Sequence, residues 1–418
     1  MSADTPGTRP APTRLARKLG TADAVVVGLG AMLGAGIFAA LAPAARAAGD
    51  ALLAGLAVAA FVAYCNASSS AVLAARYPQS GGTYVYGRER LSPFWGFLAG
   101  WCFVIGKLAS CAAMALTFGV YAAPGFARPL AAAAVITLTA INYVGIAKTA
   151  LATRVIVSIV LACLAVVVLA AALGGGMDLR RALPASFGNV NGILQAAAYL
   201  FFAFAGYARI ATLGEEVVDP ETTIPRAIPL ALGLVLVVYA IVAVTALAAV
   251  GADGVAGTAA PLAAAVASGR YAAWLPAVRI GATVACLGVL LSLLAGVSRT
   301  AFAMAANGDL PRWLASVHPR HRIPDHAELA AGAIVAVGVM VADVRDAIGF
   351  SSFAVLLYYA IANASAMTLR AETRAPRLLP VAGLIGCALL ASSLPPGSIA
   401  AGAALIAAGA VLYGIRSR

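Results

Sequence analysis

Charge is what this chain has least of. Only 11% of its 418 residues are Asp, Glu, Lys or Arg, while 62% are hydrophobic; a soluble chain carries about 25% charged residues. That shortfall excludes an ordinary cytosolic enzyme, a disordered scaffold and a nucleic-acid-binding domain. Histidine is scarce: His318, His321 and His326 fall in one basic stretch where no carboxylate or cysteine spacing completes a metal site. The six cysteines (Cys65, Cys102, Cys111, Cys163, Cys286 and Cys387) lie in apolar stretches and make no CxxC pair. Neither a disulfide framework nor a zinc site is expected from them. There is no HExxH, no GxSxG and no acid/base pair inside an apolar run, so no enzyme activity and no cofactor are expected.

Long apolar runs are what the chain has instead. A spanning helix needs about 20 apolar residues. Twelve such segments can be placed, at 22–48, 51–75, 93–121, 129–147, 151–173, 191–213, 227–250, 274–305, 327–342, 347–369, 377–393 and 397–414. The longer loops are 174–190 and the Ala-rich 251–273, where a short surface helix is expected. Residues before the first run are rich in Thr, Pro and Arg up to Lys18, and no small-residue cleavage signal follows. The first run therefore reads as a retained span and not a signal peptide. With the N-terminus inside, nineteen basic residues collect on the cytoplasmic side and seven on the other, a positive-inside pattern that puts both termini in the cytoplasm. The net charge of +12 is then a matter of topology, and nucleic acid drops out as a partner. Tyr84, Tyr86, Trp95 and Trp101 are expected in the aromatic belt at the membrane interface. An Ala-rich, Lys-poor composition suggests a GC-rich bacterial source and a plasma-membrane location.

Two segments differ from the rest. The first has Gly28, Gly30, Gly34 and Gly36 within nine residues, and the sixth reads Phe201-Phe202-Ala203-Phe204-Ala205-Gly206-Tyr207-Ala208-Arg209. Each helical Gly costs about 1 kcal/mol relative to Ala, so such clusters mark places where a helix breaks. Broken backbone at membrane depth survives only when buried or lining a cavity. Interrupted helices at matching places in two halves are the sequence pointer to a secondary transporter with inverted repeats. The competing explanation is close helix packing through small residues.

Four motifs carry a family resemblance: Gly34-Ala35-Gly36-Ile37-Phe38; Tyr77-Pro78-Gln79-Ser80-Gly81-Gly82-Thr83-Tyr84; Phe201–Tyr207 leading into Glu215-Glu216-Val217-Val218-Asp219-Pro220 and Ile224-Pro225-Arg226; and Ser298-Arg299-Thr300 leading into Asn307-Gly308-Asp309-Leu310-Pro311. On these the chain resembles the amino acid–polyamine–organocation (APC) family of amino acid permeases. The resemblance implies an all-α polytopic LeuT-type fold with twelve transmembrane helices. A cytoplasmic tail at 1–21 would precede a first repeat at 22–173, a second at 191–369 and two further helices at 377–414. Helices one and six would be broken.

A break exposes unpaired N–H groups at the start of one half-helix and unpaired C=O groups at the end of the other. The amides at Gly34, Ala35, Gly36 and Ile37 are candidates to hold a substrate carboxylate, since the positive end of a half-helix favours an anion. Hydrogen bonds to a charged group contribute about 1.5–3 kcal/mol each. By resemblance, carbonyls near Met32, Phe202, Ala203 and Ala205 would hold the ammonium, with Phe204 and Gly206 completing the sixth-helix site. No acid lies in mid-span, which favours neutral, hydrophobic amino acids over cationic ones.

Lys107 lies well inside the third span. A lysine at span centre costs about 2.5–3.5 kcal/mol on insertion scales, and such residues are functional by default. Some proton-coupled relatives carry a lysine in helix five, whereas the matching position here is Val160. Lys107 takes over that coupling role, contacts the substrate, or snorkels outward. Arg209 is a gate candidate, with Glu215 or Glu216 as its partner. The function that follows is alternating-access amino acid transport, proton-coupled and sodium-independent, within a lipid bilayer. Export or exchange, an amine substrate, or a membrane sensor that binds without transporting remain alternatives. The oligomeric state is not legible.

Overall fold

The computed structural model describes residues 19–78, 81–145, 150–184, 189–212, 216–369 and 378–416. Most of them form helices, as apolar runs in hydrocarbon must, because a helix satisfies its backbone N–H and C=O groups within one segment. The first predicted span is a chain of three: α1 (Thr21–Met32), α2 (Ala35–Ala39) and α3 (Leu41–Ala48). Then come α4 (Leu52–Arg76), the short α5 (Thr83–Arg90), α6 (Pro93–Ala122), α7 (Ala127–Tyr143) and α8 (Ala150–Leu173). The second half runs α9 (Val190–Phe204), a 3-10 turn at Ala205–Tyr207, α10 (Ala208–Ala211), α11 (Pro220–Ala256), α12 (Pro261–Ala267), α13 (Leu275–Ala306), α14 (Asp325–Val341) and α15 (Val344–Met367). Two helices close the chain, α16 (Leu378–Ser392) and α17 (Pro396–Arg416).

Among the described residues, ten helical stretches are long and apolar enough to cross a membrane. At 17 and 15 residues, α14 and α16 are shorter and occupy two further predicted positions. Three expectations need correction. The helix expected at 227–250 begins at Pro220 and runs to Ala256, bending at Gly251, whose φ of +71° only glycine adopts freely. The helix expected on the surface within 251–273 is α12, and its Leu262, Ala265 and Val266 are fully buried. Tyr84 and Tyr86 are buried as well, unlike the half-exposed Trp95. They sit on α5, which lies against α6 and α15 and turns its rings inward, not toward lipid. The tail at 1–18 and the 370–377 stretch before α16 lie outside the described residues.

Polar side chains fasten the bundle where apolar contacts cannot, since lipid tails are as apolar as the helices themselves. Asn363 of α15 donates to Asn66 Oδ1 of α4 at 2.6 Å, and Ser69 Oγ donates to Asn363 Oδ1 at 2.6 Å. One carboxylate at the end of a span, where acids are expected, is nevertheless buried. Glu328 is 3% exposed one turn into α14, where it accepts from Asn142 Nδ2 of α7 at 2.8 Å and from Ser298 Oγ of α13.

Candidate functional site

The first helix breaks at Leu33 and Gly34. Leu33 (φ −76°, ψ +64°) is the centre of an inverse γ-turn, with Gly34 N–H donating to Met32 O at 2.8 Å. Gly34 is extended (φ −129°, ψ −146°), and α2 starts at the next residue. The break expected at this glycine cluster is therefore confined to Leu33 and Gly34, and Ala35, Gly36 and Ile37 are already helical. Ala40 keeps helical angles, so α2 runs on into α3. The amides of Ala35, Gly36 and Ile37 thus form the first turn of a continued helix, where no intrahelical acceptor exists.

The sixth span changes at the predicted place by a milder device. Ala205, Gly206 and Tyr207 tighten to a 3-10 turn before α10 resumes. Backbone angles stay in the helical region, so this is a twist and not an open gap.

Glycine brings the two interrupted helices together. A Cβ on Gly36 would lie 2.5 Å from Ala203 Cα and 2.6 Å from Ala203 Cβ, and one on Gly206 would collide with the Ala31 carbonyl. Each helix thus places its glycine against the other's backbone. Met32, Gly34, Gly36, Ile37, Phe202, Ala203, Phe204 and Ala205 are all buried in or beside this crossing, and Gly206 is half-buried.

Sequence reasoning missed the residue that joins the two breaks. Tyr239, fully buried on α11, points its hydroxyl at Met32 O (2.6 Å) and at Ala203 O (3.0 Å). Tyr359 of α15 donates to Ala205 O at 3.2 Å. Three of the four carbonyls assigned to an ammonium are therefore met by tyrosine hydroxyls. The available signal was a lone phenol in the middle of an apolar run, since a buried hydroxyl in a bilayer needs a partner.

The remaining candidates lie apart. Lys107 is 7% exposed, which removes outward snorkelling, and no hydrogen bond joins it to either broken helix among the described residues. Its helix, α6, packs mainly against α13 and α15. Arg209 reaches Thr212 Oγ1 at 3.4 Å and forms no ion pair with Glu216; Glu215 lies outside the described residues. What Glu216 contributes is main chain. Leu19 N–H donates to Glu216 O at 3.1 Å and Val218 N–H donates to Leu19 O at 2.9 Å, tying the start of α1 to the segment after α10. Asp23 of α1 adds an ion pair with Arg154 of α8.

Comparison with known proteins bears on the family and the fold. The amino acid permease family model matches residues 19–415. An uncharacterized transporter of Mycobacterium tuberculosis is 61% identical over 409 residues, covering 98% of this chain and 93% of its own. A branched-chain amino acid permease of Bacillus subtilis is 26% identical, covering 74% of this chain and 71% of its own. Human cationic amino acid transporter 4 is 28% identical, covering 88% and 62%. Among solved structures, that of MhsT in complex with L-phenylalanine superposes with a TM-score of 0.65 at 17% identity, covering 94% of this chain and all of that one; the likeness shows a common helical fold. The protein is a multi-pass membrane transporter and not an enzyme, and it belongs to the amino acid permease family of the APC group.

Proposed function

We propose that this permease is a secondary active transporter of neutral, hydrophobic L-amino acids that works by alternating access, coupled to protons and independent of sodium. The observation that carries the reading is the crossing of two interrupted helices, with first-turn amides of α2 on one side and the carbonyls of Met32, Ala203 and Ala205 on the other. Amides suit a carboxylate and carbonyls suit an ammonium, so the backbone serves the part common to all α-amino acids. The side chains around it are apolar. Among the described residues the buried carboxylates, Asp325 and Glu328, both lie on α14, which packs chiefly against α6, α7 and α13. A cationic side chain would find no acid at the crossing, which favours the substrate class named for the Bacillus subtilis relative over that named for the human one.

The same reading takes the fold as twelve spans in two inverted sets of five plus α16 and α17, with both termini cytoplasmic in the plasma membrane. The Leu19 to Val217 pairing and the Asp23–Arg154 ion pair then hold the cytoplasmic end of α1 shut. Proton coupling is assigned to Lys107, a buried ammonium without a carboxylate partner among the described residues. Purified protein in liposomes loaded with unlabelled leucine tests the whole: counterflow of labelled leucine separates a carrier from a sensor, and imposed pH or sodium gradients identify the ion. Absence of counterflow with any neutral amino acid refutes the proposal.

A further inference from the structure

We propose that the segment joining α13 to α14, with the end of α7 against it, is a binding site for an anionic phospholipid headgroup such as phosphatidylglycerol. The segment carries three arginines, Arg312, Arg320 and Arg322, all exposed and none paired with a carboxylate among the described residues. The acids nearest in sequence are turned inward. Asp309 accepts from Tyr84 OH at 2.6 Å and from Arg88 Nη1 at 2.9 Å; Asp325 takes the His326 N–H at 2.9 Å and a bond from Ser316. The positive charge is left facing outward.

An apolar stripe leads up to it. Leu329, Ile334, Val337 and Val341 are exposed along α14, which in a bilayer means contact with acyl chains. Beyond the start of α14 the stripe continues into Trp313, 56% exposed with its ring 5.7 Å from that of His326 and tilted 46° to it, and into exposed Val317. Then come the arginines. Hydrocarbon contact, indole and guanidinium succeed one another in the order of acyl chain, interface and headgroup phosphate.

The basic turn is also rigid. His318 Nδ1 accepts the N–H groups of Arg320 and His321, Arg322 N–H donates to His318 O at 2.9 Å, and His318 N–H donates to Ile323 O at 2.9 Å. The rings of His318 and His321 rest on Tyr143 at the end of α7. Arg320 and Arg322 are thus presented from a fixed backbone turn, so that binding a phosphate orders their side chains but not the main chain that carries them.

The test is fluorescence quenching in nanodiscs, reading the Trp313 signal as the difference between the parent and Trp313→Phe. Brominated phosphatidylglycerol at a small fraction of phosphatidylcholine should quench that signal at least about twofold more than brominated phosphatidylcholine at the same fraction. The preference should vanish in the triple variant Arg312→Gln/Arg320→Gln/Arg322→Gln and survive in the matching triple Lys variant. Should the Gln variant fail to fold, salt replaces it: about 1 M salt shortens screening to about 3 Å and should abolish the preference of the parent. Equal quenching by the two lipids overturns the site, as does a preference that survives the Gln variant or high salt. Loss of the preference on adding inorganic phosphate at low millimolar concentration would assign the site to soluble anions and overturn the lipid assignment.

Discussion

Removing one oxygen, in Tyr239→Phe, tests the core of the mechanism. The hydroxyl has a single proton and faces two carbonyls, Met32 O at 2.6 Å and Ala203 O at 3.0 Å. Met32 O also takes the Gly34 N–H at 2.8 Å. The proton of Tyr239 is committed to a carbonyl, and what the phenol still offers is its oxygen lone pairs, at the point where the two breaks meet. A substrate ammonium arriving there would donate to that oxygen. Losing one hydrogen bond to a charged group costs about 1.5–3 kcal/mol, or about tenfold to about a hundredfold in affinity. The ring keeps its place against Phe204, 5.2 Å away, so the packing defect is small. Leucine affinity is read from ligand-induced shifts in melting temperature and transport from counterflow in liposomes. A Phe variant that folds and binds leucine within about twofold of the parent would refute the assignment of Tyr239, because even one such bond is worth more.

Gly36→Leu should abolish uptake, since its side chain would enter the backbone of Ala203 and overpacking of this kind typically costs about 1–3 kcal/mol; Gly233→Ala, with nothing within 4 Å of the new methyl, is the control and should transport within about twofold of the parent. Lys107→Ala should lose uptake driven by a pH gradient while keeping energy-independent exchange, and an alanine variant that still follows an imposed gradient shows the lysine to be structural. The Tyr84 hydroxyl, on α5 outside the spans, is pushed up to about 12 from its ordinary 10, first by burial and then by its bond to Asp309. A raised acid favours the folded protein while it stays protonated. Its contribution is complete below pH 10 and is lost between 10 and about 12, so the melting temperature of the parent should fall more steeply across that window than that of Tyr84→Phe. Parallel curves would remove Tyr84 from the account.

What could be read from the sequence was whatever depends on a residue and its chain neighbours. Runs of apolar residues place the spans, because hydrocarbon demands helices of a set length. The glycines at 34, 36 and 206 place the two interruptions. Their form was less legible. The turn in the first helix centres on Leu33, beside the glycine, since extended Gly34 frees the residue before it to close on Met32; at Gly206 neighbouring contacts are met by tightening the helix, with no need to open it. Lys107 was legible as a residue of consequence, because a charge inside a span is costly, but only its burial in the structure separates the inward readings from outward snorkelling.

What stayed hidden was direction around a helix axis. Tyr84 and Tyr86 read as belt residues from their place near the end of a span, and only the lie of α5 against α6 and α15 turns them inward. Tyr239 looks in sequence like any aromatic in an apolar run, and Glu328 like an acid at the end of one. Each becomes specific through partners far along the chain: 207 positions separate Tyr239 from Met32, and 186 separate Glu328 from Asn142. The difference has a physical source. A backbone break needs only local glycine to form, whereas a hydroxyl or carboxylate inside a bilayer is tolerable only where another helix supplies its hydrogen bonds. The breaks are therefore written where they occur, while the groups that join them are written as polar atoms in apolar runs whose partners must be sought elsewhere in the fold. The buried phenol of Tyr239, more than the glycines, is what joins the two interrupted helices.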